Sequence, residues 1–381
     1  MTEDPATVGS GNVEAIYPLT PAQEGILYHV LYDASSPVYV QQYSVRLDGD
    51  VDIGILKQSW ELVIQRHQAL RALFLWEGRQ RPLQVIRSRV EVVWSTADWT
   101  DEAAGTQADR LASFLDGDRN RGFALDKAPL MRFALFRLAE NRYRFVWSHH
   151  HLILDGWSLG LIMAEVMHCY ESLLDGADPV LESPARYGAY IDWLENRTGA
   201  EPQASFWESY LDGFDRTNVL PSLGARPPER WAGRQAEHAH EFSADLSDLV
   251  LDFTRRQGIT LSTIMRGAWA VVLGHYTDDQ DVVFGATVSG RPTDLPRSLD
   301  TAGLFINTLP VRVRVDHEQP IVGWLEDIQQ AQVEMTDFQS TPLVEAKRHS
   351  DVEPDQQLFE SILVMENIPD PASVALSLIH I

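Results

Sequence analysis

The sequence predicts an α/β protein built as two lobes of similar size, and three observations predict it. Strand-like and helix-like segments alternate in both halves, the pattern of sheets covered by helices. The chain has 381 residues, more than one ordinary core fills. After Asp175 the texture changes to a loop carrying Pro179 and Pro184, and the lobe boundary is placed there. Residues 1–14 read as a polar, disordered lead-in, 15–182 as the N-terminal lobe and 183–381 as the C-terminal lobe.

Local chemistry sets the elements in order. Thr20-Pro21-Ala22-Gln23 starts a helix that runs to about Tyr32: Thr20 caps it, Pro21 suits the first helical position and Gln23 closes a capping box. Tyr39–Leu47 reads as a strand, and a helix from near Asp52 carries Leu56, Trp60, Val63 and Ile64 at helical spacing. Strands follow at Leu70–Trp76, Leu83–Ile86 and Val90–Trp94, with a helix over 101–117. Residues 130–138 and 142–149 form a hairpin around Ala139-Glu140-Asn141. Asp155-Gly156 makes a sharp bend into an amphipathic helix over Trp157–Leu174, glycine tolerating backbone angles that other residues avoid. The second half reads as helices 185–196 and 203–213, then a long surface loop over 214–236 rich in Pro, Gly and Arg. Strand 238–243, helix 245–257 and helix 262–276 capped by Ser262 come next. Strands Val282–Val288 and Leu309–Val315, helix 320–336 and strand 359–366 complete the series.

Composition excludes several functions. A formal charge of −24, from 31 basic and 55 acidic residues, repels nucleic acid and anionic membrane. Cys169 is the only cysteine, so an intramolecular disulfide and a thiolate metal cluster are both impossible. It sits in an apolar helical pattern and reads as a buried structural thiol. No apolar run approaches the roughly 20 residues that span a bilayer. The acidic N-terminus lacks the basic region and apolar core of a secretion signal. A cytoplasmic location is expected.

The sharpest feature runs from Trp147 to Ser158 and contains His149, His150 and His151 in succession. Neighbouring strand residues alternate faces, so three adjacent histidines do not converge on one ion, and no H-E-x-x-H or second histidine cluster supports a metal site. A single buried histidine ordinarily needs no function. Here a histidine, an aspartate four residues later and then a glycine stand together at the end of an apolar strand. That joint pattern favours catalysis.

His150-His151-Leu152-Ile153-Leu154-Asp155-Gly156 matches H-H-x-x-x-D-G, and on it the chain resembles the condensation domains of nonribosomal peptide synthetases. The shorter H-x-x-x-D form belongs to the wider chloramphenicol-acetyltransferase-like superfamily. Further segments resemble that family in its order: Tyr17–Leu27, Arg66-His67-Gln68-Ala69-Leu70-Arg71, Tyr187–Leu194, Ser289-Gly290-Arg291-Pro292 and Gly303–Pro310. The resemblance covers residues 16 to about 366. It implies two chloramphenicol-acetyltransferase-like lobes in a V-shaped pseudo-dimer with a tunnel between them. Donor and acceptor carrier domains would approach from opposite faces, each with a substrate on a phosphopantetheine arm, and no cofactor would be bound directly. The adenylation domain of the same synthetase is a further implied partner. Carriers are generally acidic, so docking on so acidic a chain would use local basic or apolar patches, the Arg-containing stretch 227–234 among them. The family continues beyond this end, which implies a C-terminal truncation with the apolar tail Ala375–Ile381 lacking partner strands.

The resemblance assigns His151 the catalytic part, either taking a proton from the attacking amine or positioning it. Imidazole suits the first task because its pKa lies near neutrality; orientation and stabilisation of the tetrahedral intermediate suit the second. Gly156 would allow close approach of substrate, and His150 joins the catalytic set, although one imidazole suffices for the proton work. Asp155 reads as a triad partner of His151 by position. The resemblance instead pairs it with Arg66, as an ion pair that holds the loop. Arg71, Ser158, Trp207, Asn307 and Gly25 are expected at the substrate tunnel. Ser158 lacks the G-x-S-x-G elbow of a nucleophile. The intact glycine, with Trp157-Ser158 after it, resembles condensation rather than epimerisation domains, and the wording most resembles the subtype joining an L-configured donor to an L-configured acceptor. Two alternatives remain: a stand-alone coenzyme A-dependent acyltransferase of the same fold, and a non-catalytic docking or recruitment module. Assays with coenzyme A and carrier thioesters separate the first, and pulldown of a partner enzyme without amide product would favour the second.

Overall fold

The computed structural model describes residues 12–33, 37–197, 201–221, 238–365 and 379–380. The chain forms two compact units. The first takes the residues up to Asn196, the returning segment Arg291–Phe305, and the strand at 379–380. The second takes 197–290 and 306–365. The chain therefore leaves the first unit at Asn196, later than the expected boundary at 182, and comes back to it once before the final strand.

The first unit holds β1 (Val13–Pro18), α1 (Pro21–Tyr32), β2 (Val40–Asp48), α2 (Ile53–Arg66), β3 (Ala72–Leu75), β4 (Leu83–Arg87) and β5 (Trp94–Asp98). It continues with α3 (Ala104–Arg121), β6 (Met131–Ala139), β7 (Arg142–His150), α4 (Gly156–Leu174) and α5 (Tyr187–Glu195). Its main sheet has the order β11-β2-β7-β6-β5, where β11 is Ile379–His380, and a smaller sheet has the order β1-β4-β3. β6 and β7 are antiparallel, with Phe133 opposite Trp147. Both faces of this hairpin are covered. Phe133, Phe145 and Trp147 pack with Trp60 of α2 in one core, and Ala134, Phe136 and Val146 pack with Trp99 in another. Double burial explains why the two strands read as nearly continuous apolar runs. Trp60 anchors the first core, its ring 4.4 Å from Phe133 and 4.9 Å from Trp147.

The second unit holds α6 (Glu201–Leu211), α7 (Ala244–Gln257), α8 (Leu261–Thr277), β8 (Asp281–Val288), β9 (Asn307–Arg314), α9 (Ile321–Met335), α10 (Leu343–Lys347) and β10 (Ile362–Leu363). The three strands form a sheet of order β10-β8-β9, β8 and β9 antiparallel and β10 parallel to β8. Its core gathers Trp207, Phe284, Leu309 and Leu325. Among the described residues, no helix is long and apolar enough to cross a membrane.

Several expectations shift. Val13 and Glu14, placed in the lead-in, begin β1, which pairs with β4. The strand expected at Val90–Trp94 forms at Trp94–Asp98, paired in parallel with β6. Residues 238–243 form no strand, and the strand expected at 359–366 is reduced to Ile362–Leu363. Thr260, not Ser262, caps α8, its side chain accepting from Thr263 N. Residues 222–237, which include the stretch 227–234, lie outside the described residues, as do 1–11. Of the C-terminal tail, Ile379 and His380 pair with Leu47 and Arg46 of β2, so that part has a partner strand.

Two glycines give opposite predictions. A Cβ on Gly188 of α5 would lie 2.5 Å from the ring of Tyr17, whereas one on Gly25 of α1 meets nothing within 4 Å. Gly188→Ala is expected to destabilise the protein by about 1–3 kcal/mol through overpacking. Gly25→Ala is expected to stabilise it by about 0.5–1 kcal/mol by removing a helical glycine. Urea denaturation of the two variants checks both signs.

Candidate active site

The site grows from the end of β7. His150 closes the strand, His151 opens the turn, and Asp155 caps α4 with its side chain on Ser158 N. Apolar Leu152, Ile153 and Leu154 are buried and anchor the turn in the first core. Gln23 of α1 supports it from below. Its Oε1 accepts from Thr20 N at 2.9 Å, which completes the capping box, and its Nε2 donates to Leu152 O at 3.1 Å. The helix start that the sequence signalled thus also braces the histidine turn.

His151 is half-buried. Its backbone N donates to Tyr39 O at 2.8 Å, and its Nδ1 lies 2.8 Å from Leu154 O. A carbonyl only accepts, so Nδ1 carries the proton. In the neutral ring the lone pair is then on Nε2, which has no hydrogen-bond partner among the described residues. The ring is held and its basic nitrogen is left open.

The other two histidines are of a different kind. His150, expected in the catalytic set, is buried at 4% exposure, and its Nδ1 accepts from Leu152 N at 3.2 Å. Burial, reinforced by the neighbouring His151, pushes its pKa down to about 3. His149 is fully buried, stacked on Tyr43 with ring centroids 5.8 Å apart, and likewise held down at about 3, by burial first and then by His151 and His150. Both stay neutral at physiological pH and hold structure.

Asp155 is not the partner of His151, and Arg66 is not the partner of Asp155. The carboxylate is 1% exposed and pairs with Arg291 Nη2, at 3.0 Å from Oδ1 and 3.1 Å from Oδ2. Its Oδ1 also accepts from Ser158 N and Oγ, and its Oδ2 accepts from Phe305 N at 3.1 Å. Arg291 Nη1 donates to Ser298 O and Thr301 O. Its guanidinium lies 4.0 Å over the Phe305 ring. Ser158, expected to face substrate, is buried in this clamp, its single O–H between Asp155 Oδ1 at 2.6 Å and Gly303 O at 2.8 Å, and its oxygen accepting from Gly303 N and Arg291. Gly303 makes room for Tyr187, whose ring would lie 2.3 Å from an added Cβ.

Arg66 instead pairs with Glu165 of α4 at 3.0 Å, and His67 Nε2 lies 2.7 Å from the same carboxylate. Burial raises the Glu165 carboxyl, but His67 and Arg66 together hold it below the usual range. The remaining tunnel candidates also have other places. Arg71 is 2% exposed and bonded to Glu14, Ile64 O and Arg87 O. Trp207 is a fully buried core residue of the second unit. Asn307 donates to Gln339 O and Thr341 O, tying β9 to the start of α10. Gly25 lies on the exposed side of α1. Gly156 is exposed at the first position of α4 and does not have a positive φ, so the bend does not require glycine. An added Cβ there meets nothing within 4 Å.

The chain belongs to the condensation domain family, whose model matches residues 13–376. It is 38% identical over 363 residues to one of the linear gramicidin synthase chains of Brevibacillus parabrevis, covering 95% of this chain and 5% of that one. It is 36% identical over 356 residues to bacitracin synthase 3 of Bacillus licheniformis, covering 93% and 6%. The chain therefore spans only a small part of the length of these relatives. Among solved structures, a four-domain nonribosomal peptide synthetase bound to AMP and glycine aligns with a TM-score of 0.77 at 19% identity, over 94% of this chain and 27% of that one. The first condensation domain of the calcium-dependent antibiotic synthetase, in complex with a substrate analogue, aligns with a TM-score of 0.73 at 19% identity, over 94% and 82%. At that identity the likeness shows the shared α/β fold.

The clamp predicts an order of stabilities. Arg291→Ala leaves a buried carboxylate without its cation and is expected to cost about 3–5 kcal/mol. Arg66→Ala leaves Glu165 with His67 and is expected to cost about 1 kcal/mol. Chemical denaturation of both variants tests the order. The buried histidines predict a pH dependence. Their folded pKa of about 3 lies below the ordinary histidine value of 6.5, so the unfolded chain binds more protons between these limits. Stability is expected to be level above pH 6.5 and to fall by about 1.4 kcal/mol per pH unit for each ring as the pH drops below it. His149→Phe should flatten the slope in melts recorded between about pH 7.5 and 5.5, the window that brackets the onset of unfolded-state protonation.

Proposed function

We propose that this domain is an acyltransferase that joins two carrier-bound substrates by a peptide bond, with His151 as the catalytic residue. The observation that carries this reading is the fixed His151 ring, with Nδ1–H spent on Leu154 O and Nε2 unpaired among the described residues. The acceptor amine attacks the carbonyl carbon of the donor thioester, and the new C–N bond gives a tetrahedral intermediate. The C–S bond then breaks and the thiol leaves. One proton passes from nitrogen to sulfur over the whole reaction. Nε2 is suited to accept that proton from the attacking amine and return it to the leaving thiolate.

The partner on Nδ1 is a neutral backbone carbonyl and not a carboxylate, so the ring is oriented by a hydrogen bond without an ion pair. His151 therefore orients the amine and carries a proton in transit. The phosphopantetheine arms of donor and acceptor carriers, the adenylation domain of the same synthetase, a cytoplasmic setting and the L-donor, L-acceptor subtype belong to the same proposal. Membership of the family and the likeness to linear gramicidin and bacitracin synthases support it.

Mass spectrometry of the carrier after mixing the domain with loaded donor and acceptor carriers tests the reading, which expects a dipeptidyl acceptor carrier. Turnover of coenzyme A thioesters with none of carrier thioesters would contradict it. His151→Ala is expected to lower the rate by about 10²–10⁴-fold without loss of fold. Gly156→Ala is expected to fold as the parent does, and a fall in its rate would assign the glycine to substrate approach.

A further inference from the structure

Four arginines among the described residues are buried: Arg71, Arg132, Arg266 and Arg291. Three of them are neutralised by a carboxylate, Arg71 by Glu14, Arg132 by Asp118 and Arg291 by Asp155. Arg266 is the exception. It lies on the buried face of α8 with Thr263, Gly267, Ala270 and Leu273, at 8% exposure. Among the described residues it has no ion pair and no hydrogen bond. A guanidinium keeps its proton in proteins, so the side chain cannot escape the cost of burial by becoming neutral. Burial pulls its pKa down, with only Tyr210 acting against it. None of its nitrogens is among the sealed, unpartnered atoms of the described residues, so they remain within reach of solvent.

The nearest charged or titratable neighbour is Tyr210, which supplies no negative charge at neutral pH. The Tyr210 hydroxyl is engaged with the backbone of β9, accepting from Arg312 N at 2.9 Å and donating to Arg312 O at 3.5 Å, and makes no hydrogen bond to Arg266. Edge-on to Tyr210, with ring centroids 5.7 Å apart, stands Trp207, whose buried Nε1–H has no acceptor. The second unit also has an open cavity of about 760 Å³ that Tyr210 helps to wall, lined by Asp212, Asp316, Asp327 and Glu334 with Arg312 and Arg314, and Arg266 does not line it. That cavity is a separate feature.

We propose that Arg266 is an oxyanion-binding residue of the second unit, completed by a carboxylate or phosphate that a ligand brings. The fork of a guanidinium matches the two oxygens of such a group. The inference rests on the carrier-substrate reading above for its source. On a carrier-bound substrate the oxyanion is either an acidic side chain of the aminoacyl group or the phosphodiester of the arm.

Thermal melts of the full chain test the proposal without any turnover. Wild type, Arg266→Met and Arg266→Lys are compared in chloride buffer, then in sodium acetate and in inorganic phosphate at equal ionic strength. In chloride, Arg266→Met is expected to melt about 2–4 °C above wild type, because the uncompensated charge is gone. Phosphate or acetate is expected to raise wild type and Arg266→Lys and to leave Arg266→Met unmoved. A response to acetate points to a substrate carboxylate, and a response to phosphate alone points to the arm. Equal responses of wild type and Arg266→Met, or a response from neither, overturn the proposal. Should Arg266→Met fail to fold, Arg266→Gln makes the same comparison. Peptide formation is scored separately, so loss of the anion response and loss of the peptide-forming reading remain distinct results.

Discussion

The buried pair of Asp155 and Arg291 is the constraint on which the site depends. Two charges at 1% and 3% side-chain exposure are stable only if every lone pair and proton finds a partner, and here nearly all do. The carboxylate takes bonds from the start of α4 and from Phe305 N, while the guanidinium takes up the carbonyls of Ser298 and Thr301. The returning segment 291–305 is thereby fixed to the helix that follows the histidine turn. With Asp155 held, Leu154 O is held, and with it the tautomer of His151. The aspartate acts on the imidazole through the backbone, from the residue next to the carbonyl that holds the ring.

Burial divides the three consecutive histidines into two roles. His149 and His150 lie inside the unit, neutral far below physiological pH, and serve as packing and as an acceptor for the turn. His151 lies past the end of the strand, half-buried, with one nitrogen committed and the other open. Strand geometry causes this division. The ladder of β7 against β2 runs to His150 opposite Val40, and His151 follows with one last backbone bond to Tyr39 O as the chain turns out of the strand.

What is legible in the sequence is local. The cap at Thr20, the hairpin of β6 and β7 and the helix after Asp155 each follow from residues within a few positions of one another, and each forms as read. The histidine turn is legible for the same reason. Its charge partner is not: Arg291 lies 136 residues from Asp155, and nothing in local spacing separates it from Arg66. The motif around Ser289–Pro292 is the available signal, because an arginine between Gly290 and Pro292 is poorly placed in an element and suits a fixed role. β1 escapes a sequence reading because it is short and abuts a polar lead-in, although Val13, Ala15 and Tyr17 alternate with the outward Glu14 and Ile16. Where the expected tunnel residues Ser158, Trp207 and Gly25 point is not legible either, because chemistry alone does not say which side of a helix a residue takes. Ser158 and Trp207 go inward, and Gly25 outward.

The second unit follows the same rule of paired charge, with Arg312 on Asp281 and Arg216 on Asp279, and Arg266 stands out there as unpaired among the described residues. The central claim concerns a single proton in the first unit. Long-range nitrogen–proton correlation spectra of histidine-labelled protein near neutral pH report which ring nitrogen of His151 carries it. Of the two tautomers of the uncharged ring, the account predicts the one protonated on Nδ1 with Nε2 bare. Protonation on Nε2, or rapid exchange between the two tautomers, would contradict it.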